Sequence, residues 1–212
     1  MSGIVTQNVL GSSGLIKAVA GGGAWTEIKT LTSDGSDATM SFVDGTSDVV
    51  LDSTYPIYCF KFTTIHPETN LQGFMFNGSI DSGSNYNVAK TSSYFYARHK
   101  EDGSNGEINY DDSRDSTQAT GAQYIGRVTS NDNDGSFSGY LYLFNPASTT
   151  FTKFFISHGT ESTTYGDATV GPNTTLTTGY LNTTSAIDAI QFTMESGEIQ
   201  GGKIKLFGIK DS

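Results

Sequence analysis

Apolar residues recur along this chain at every second position, in short runs that turn-forming residues interrupt. That period predicts β-strands. Expected strands cover Trp25–Leu31, Ala38–Val43, Val49–Leu51, Tyr55–Ile65, Leu71–Phe76, Thr91–His99, Ala122–Val128, Phe137–Phe144, Phe151–Ser157 and Thr175–Leu181. Between them lie turn words such as Ser33-Asp34-Gly35-Ser36-Asp37 and Asn131-Asp132-Asn133-Asp134-Gly135, whose Asx and Gly residues tolerate left-handed backbone. Lys100–Thr120 is polar and reads as a surface excursion with room for one short strand.

The clearest alternation is at the end. Ile187, Ile190, Phe192 and Met194 precede Glu195-Ser196-Gly197, and Ile204, Leu206 and Ile209 follow Gly201-Gly202. Two alternating runs around a Gly-rich turn predict a β-hairpin. In Tyr55–Ile65 both faces are apolar, which places it centrally with cover on both sides. The one helix candidate, Ser185–Ile190, is too short to stand. The sum is an all-β fold of about ten strands, an antiparallel two-sheet sandwich of jelly-roll type.

Met1–Gly23 breaks the pattern. Ile4, Val5, Leu15 and Ile16 sit among Gly and Ser with no lasting period, and Gly21-Gly22-Gly23 ends the stretch. The expected organisation is therefore a flexible N-terminal arm, 1–23, and a single sandwich domain, 24–212. The arm's apolar residues suit a peg that orders against a partner.

Composition narrows the function. Twelve Lys and Arg against 22 Asp and Glu leave a formal charge of −10, which repels phosphate backbones, so nucleic acid is not an expected partner. No apolar run reaches the about 20 residues of a membrane-spanning helix. The start lacks a basic segment followed by an apolar one, so synthesis in a cytoplasm is expected.

Candidate chemistry is sparse. His66, His99 and His158 have no metal-ligand spacing. Cys59 lies within an apolar strand, the setting of a buried small hydrophobe rather than a reactive thiol. Asn131–Gly135 superficially suggests a calcium loop, but the first and twelfth positions would be Ser130 and Leu141, and both fail the pattern. Asp111, Asp112 and Asp115 form an acidic loop cluster. No spacing selects a catalytic carboxylate pair. No catalytic, cofactor-binding or metal residue is therefore assigned, no cofactor is expected, and the chain is expected not to be an enzyme. Tyr94, Phe95, Tyr96, Tyr140 and Tyr142 alternate on strands. About half of them must face the core, and the rest are free for subunit contact or for stacking on sugars.

Three stretches taken together carry a resemblance: SGIVTQNVLGSSGLIKA (Ser2–Ala18), SGYLYLFNPASTTFTKFFISH (Ser138–His158) and NTTSAIDAIQFTMESGEIQGGKIKLFGI (Asn182–Ile209). In this order they resemble small virion proteins of marine tailed phages such as cyanophages. The closing IKLFGI is similar to an I-K-L-Y-G-I ending common in that group, with Phe207 in place of Tyr. The resemblance implies a non-enzymatic virion component, made in the host cytoplasm and exposed on the particle. Capsid decoration through the arm is the first expectation; a receptor- or glycan-binding module of a tail fibre is the alternative. Expected partners are other virion proteins and further copies of the chain, as a homotrimer, with host surface glycan as a further candidate.

Overall fold

The computed structural model describes residues 24–164 and 170–210, with the side chains of residues 164 and 170 left aside. The expected arm, 1–23, lies outside the described residues. Thirteen strands form two antiparallel sheets, and no helix occurs among the described residues. The larger sheet runs β1 (Trp25–Thr32), β13 (Ile199–Ile209), β3 (Ile57–Pro67), β9 (Phe137–Phe144), β10 (Lys153–Thr164), β11 (Val170–Leu181), β5 (Lys90–His99), β6 (Gly106–Tyr110), with β7 (Thr117–Ala119) also on β5. The smaller runs β2 (Met40–Val43), β12 (Ala189–Met194), β4 (Phe74–Ser79), β8 (Gln123–Tyr124). The fold is the all-β two-sheet sandwich that the alternation implies.

The pairing is nested. β1 meets β13, β2 meets β12, β3 meets β9 and β4 meets β8. A long ribbon folded over on itself, first strand against last, is the winding of a jelly roll. Consecutive strands at either end of the chain therefore fall in opposite sheets.

That winding corrects the hairpin expectation. β12 pairs with β2 and β4, whereas β13 pairs with β1 and β3. The two closing strands face each other across the core. The turn between them crosses from one sheet to the other, with Gly197 at φ 73°, and Gly202, at φ 111°, sits within β13 where its register against β3 shifts. A Cβ on Gly202 would stand 2.5 Å from the Thr64 carbonyl oxygen, so the backbone there needs glycine. Alternation reports which residues face a core, and a strand facing its neighbour across the core alternates just as one paired beside it does.

Aromatic rings fill the space between the sheets. Phe62 lies 5.2 Å from Phe74 and 5.1 Å from Phe192, and Phe60 lies 5.2 Å from Phe192, all edge-on. Offset and edge-on packing is the arrangement ring quadrupoles prefer. Tyr58, Phe60, Phe42, Leu141, Leu206 and Ile204 are all fully buried with them.

Other boundaries shift. Val49 and Leu51 are buried, but in loop rather than in a strand. Ala122–Val128 shrinks to Gln123–Tyr124, while the polar excursion holds two strands, β6 and β7. Ser185–Ile190 is not helical. Tyr55–Ile65 does become a central strand, β3, between β13 and β9. Among the described residues it has a layer over one face only: Phe60 and Phe62 enter the core, while Lys61 and Thr63 are exposed on the other side.

Candidate functional site

The side of the larger sheet that no other described residues cover is its most distinctive surface. Strand register aligns its outward side chains in rows that cross the sheet. One row is Thr30, Lys205, Lys61, Tyr140, His158, Leu176, Phe95, Tyr110, one residue from each of eight strands. The next is Glu27, Phe207, Cys59, Tyr142, Ile156, Thr178, Ser93. Below it stand Trp25, Ile57 and Phe144 at one end and Phe154, Tyr180 and Thr91 at the other. Above it run Ser138, Thr160, Thr174, Ala97 and Ile108.

Much of this is apolar and open to solvent. Trp25, Phe95, Tyr110, Ile156 and Leu176 are each about two-fifths exposed; Phe154 is 57% and Ile108 84% exposed. Scattered exposed apolar residues are ordinary, but a contiguous patch marks a contact surface. Three shallow hollows dent the face. One, of about 400 Å³, is bordered by Phe144, Phe154, Ile156 and Tyr180; a second, of about 220 Å³, by Phe95, Ile108, His158 and Leu176; a third, of about 530 Å³, by Ala97, Ile108 and Thr174 together with Arg98 and Glu107.

Charge is distributed as unevenly as apolar area. In a chain of formal charge −10, Glu27 is the one carboxylate among the outward positions of these rows, and Lys205 Nζ holds it at 3.1 Å. Lys61 Nζ lies 4.8 Å from the Trp25 ring centre and 5.5 Å from that of Phe207, a cation–π setting. Asp115 stands at the rim, accepting a hydrogen bond from the Tyr110 hydroxyl.

The five weighed aromatics divide as strand alternation requires. Tyr94 and Tyr96 point inward and are buried; Phe95, Tyr140 and Tyr142 point outward. Missed in the sequence were Ile156, Leu176, Tyr110 and Phe154. The signal was present in β10, where Phe154 and Ile156 alternate with the buried Phe155 and leave the strand apolar on both faces.

Two further shifted carboxyls, Glu161 and Asp111, lie off this face. Glu161 is buried on the inner side of β10. Its carboxylate accepts from the backbone N–H of Arg127 (2.9 Å) and Val128 (2.8 Å), the Thr129 hydroxyl (2.9 Å) and the Asn173 amide (2.8 Å). Burial pushes its carboxyl above the ordinary value, and the four donors pull it back only in part. Nearby, Asp111 lies 3.3 Å from Arg127 Nε. Burial alone would raise Asp111, but Ser113, Arg114 and Arg127 outweigh it and hold its carboxyl below the usual range. The Arg127 guanidinium lies 4.0 Å from the Tyr96 ring centre. This network ties the 111–129 loops to the sheet.

His66, His99 and His158 lie apart, on β3, at the end of β5 and on β10. Among the described residues no group of three or more His, Cys, Asp or Glu side chains is arranged to hold a metal. Cys59 faces outward but is covered, and burial pushes its thiol up to about 12. In the 130–135 loop, Asp132 accepts from Ser130 Oγ at 2.7 Å and Asn131 donates to the Glu68 carbonyl at 2.9 Å, contacts that shape a turn.

The chain matches no protein-family model, and no curated protein or solved structure is similar to it.

Proposed function

We propose that this chain is a non-enzymatic structural protein of a tailed-phage virion, decorating the capsid surface as a homotrimer and attached through residues 1–23. The observation that carries the assembly role is the face of the larger sheet: broad, apolar, and bearing a single, paired carboxylate in a strongly acidic chain. A surface that selection for solubility alone had shaped would carry its share of the acids. The virion assignment is supported by the three stretches resembling marine phage virion proteins.

The alternative, a glycan-binding tip of a tail fibre, would draw on the same outward rings. Those rings pack against one another rather than lying open as a platform: Phe95 on Tyr110 at 76° and Tyr140 on Tyr142 at 63°.

Quantifying the protein in purified virions tests the proposal. Hundreds of copies per particle are expected; a handful would move it to the tail, and its absence would overturn the virion assignment. A chain lacking Met1–Gly23 is expected to fold but not to join the particle, and full incorporation would refute attachment through that segment.

A further inference from the structure

We infer that the outer face of the eight-strand path in the larger sheet is the surface through which copies of this chain pack on one another. The inference rests on the proposal that copies work side by side, and not on the virion assignment.

The face is large enough for such a contact. Eight strands at about 4.8 Å spacing span about 34 Å, and four outward rows about 7 Å apart add about 20 Å in the other direction. The face thus offers about 700 Å², close to the about 800 Å² per partner of a standard specific interface. It is one continuous patch, so a single contact can cover it.

The charge of the face suits a second copy as well. Two such faces meet without burying a free carboxylate, because Glu27 is already held by Lys205. Lys61 is already engaged by the rings of Trp25 and Phe207. Elsewhere the chain is acidic, and two copies meeting there would repel. A basic partner would find no free acid on this face, and a polyanion would find few free cations. A near-neutral apolar partner is what remains, and the chain itself supplies one.

The polar groups of the face favour protein over sugar. Sugar hydroxyls are bound by planar amides, carboxylates and guanidinium groups beside aromatic faces. Apart from Glu27, which Lys205 holds, the outward rows contain no carboxylate, planar amide or guanidinium, although the chain is rich in Asn and Asp; Arg98 and Glu107 beside them pair with each other at 2.7 Å. Their hydroxyls come from Ser, Thr and Tyr. Leu176 and Ile156 stand near the middle, flanked by Tyr140, Tyr142 and Phe95, which is the make-up of an interface centre.

The purified chain, free of any virion, provides the test. Native mass spectrometry and sedimentation are expected to show a wild-type oligomer: a dimer where two whole faces meet on a two-fold axis, a trimer where each copy sets one part of its face against another part of its neighbour's. Leu176→Glu and Ile156→Glu each place a charge at the contact centre and are expected to weaken association at least about a hundredfold. Circular dichroism should be unchanged, since both positions are exposed in the single chain. A dimer disrupted by the same substitutions would also support the interface, and would replace only the trimer proposed above. Should a glutamate variant fail to fold, Leu176→Cys reads the same surface. Cys59 is buried, so the new thiol alone reports maleimide reactivity, which is expected to fall as protein concentration rises. A wild-type chain that stays monomeric at every concentration would overturn the inference. So would an oligomer indifferent to both glutamates, or a thiol reactivity in Leu176→Cys that does not depend on concentration. A monomer that binds host envelope polysaccharide, with loss of binding on Tyr180→Ala, would hand the face to the glycan reading.

Discussion

The ring of Phe137 occupies the space that a side chain on Gly159 would need. A Cβ at Gly159 would stand 2.3 Å from two carbons of that ring. The two residues belong to adjacent strands, β9 and β10, and Phe137 is fully buried. Directly across from Gly159 is Gly139, where a Cβ would meet the His158 carbonyl oxygen at 2.4 Å. Gly159→Ala therefore forces either the ring or the strand to move, and overpacking of this kind costs about 1–3 kcal/mol. Urea denaturation should show a lower midpoint with an unchanged slope. Stability equal to wild type would mean that the core yields there.

Glu161 makes a second prediction, in two parts. Glu161→Gln sets an amide NH₂ among donors that all need an acceptor, at a cost of about 2 kcal/mol. The pH dependence follows from the raised carboxyl. Between its ordinary value and the raised folded one, the folded chain keeps a proton that the unfolded chain has lost. Stability contributed by this group is therefore full at low pH and falls as pH rises through that window. Denaturation midpoints across pH should show this decline in wild type and its absence in Glu161→Gln. Parallel curves for the two proteins would refute the assignment.

Lys90 predicts the opposite slope. Its ammonium is buried, donating to Asn77 Oδ1 and the Val88 carbonyl, each at 2.7 Å. Burial lowers its pKa from 10.5 to about 8. Between those values the unfolded chain holds a proton that the folded chain has released, so stability rises with pH across the window. Lys90→Met should abolish that rise. It also leaves the Val88 carbonyl without this donor, so at neutral pH the net change should stay within about 1 kcal/mol. Denaturation at several pH values reads both effects, and a persistent rise in the variant would assign the slope to another group.

How legible the chain was depended on what each pattern encodes. Period-two alternation reports that one side of a strand is buried, so the strands of Phe137–Phe144 and Trp25–Leu31 were readable with nearly their observed bounds. The same pattern is silent on partners. Met194 and Ile204 alternate into one core from two sheets, and no local signal distinguishes that from a hairpin. Lys100–Thr120 offered room for one short strand and holds two, Gly106–Tyr110 and Thr117–Ala119, because an edge carries little buried area to mark it. Val49 and Leu51 deceived in the other direction: they are apolar because they are buried, yet no ladder takes them.

The candidate face shows the same division. The residues alone determined that this is an all-β chain with an acidic surface and more aromatic strand positions than one core can absorb. The alternation of Tyr94, Phe95, Tyr96, Tyr140 and Tyr142 along their strands already puts about half of these rings outside the core. Only the tertiary structure decided that Ile156, Leu176 and Tyr110 join them, because strands far apart in the sequence become neighbours through register. It likewise decided that the acids lie almost wholly elsewhere. A row across eight strands is a property of pairing, and pairing is set by long-range packing and loop closure that no window of sequence contains.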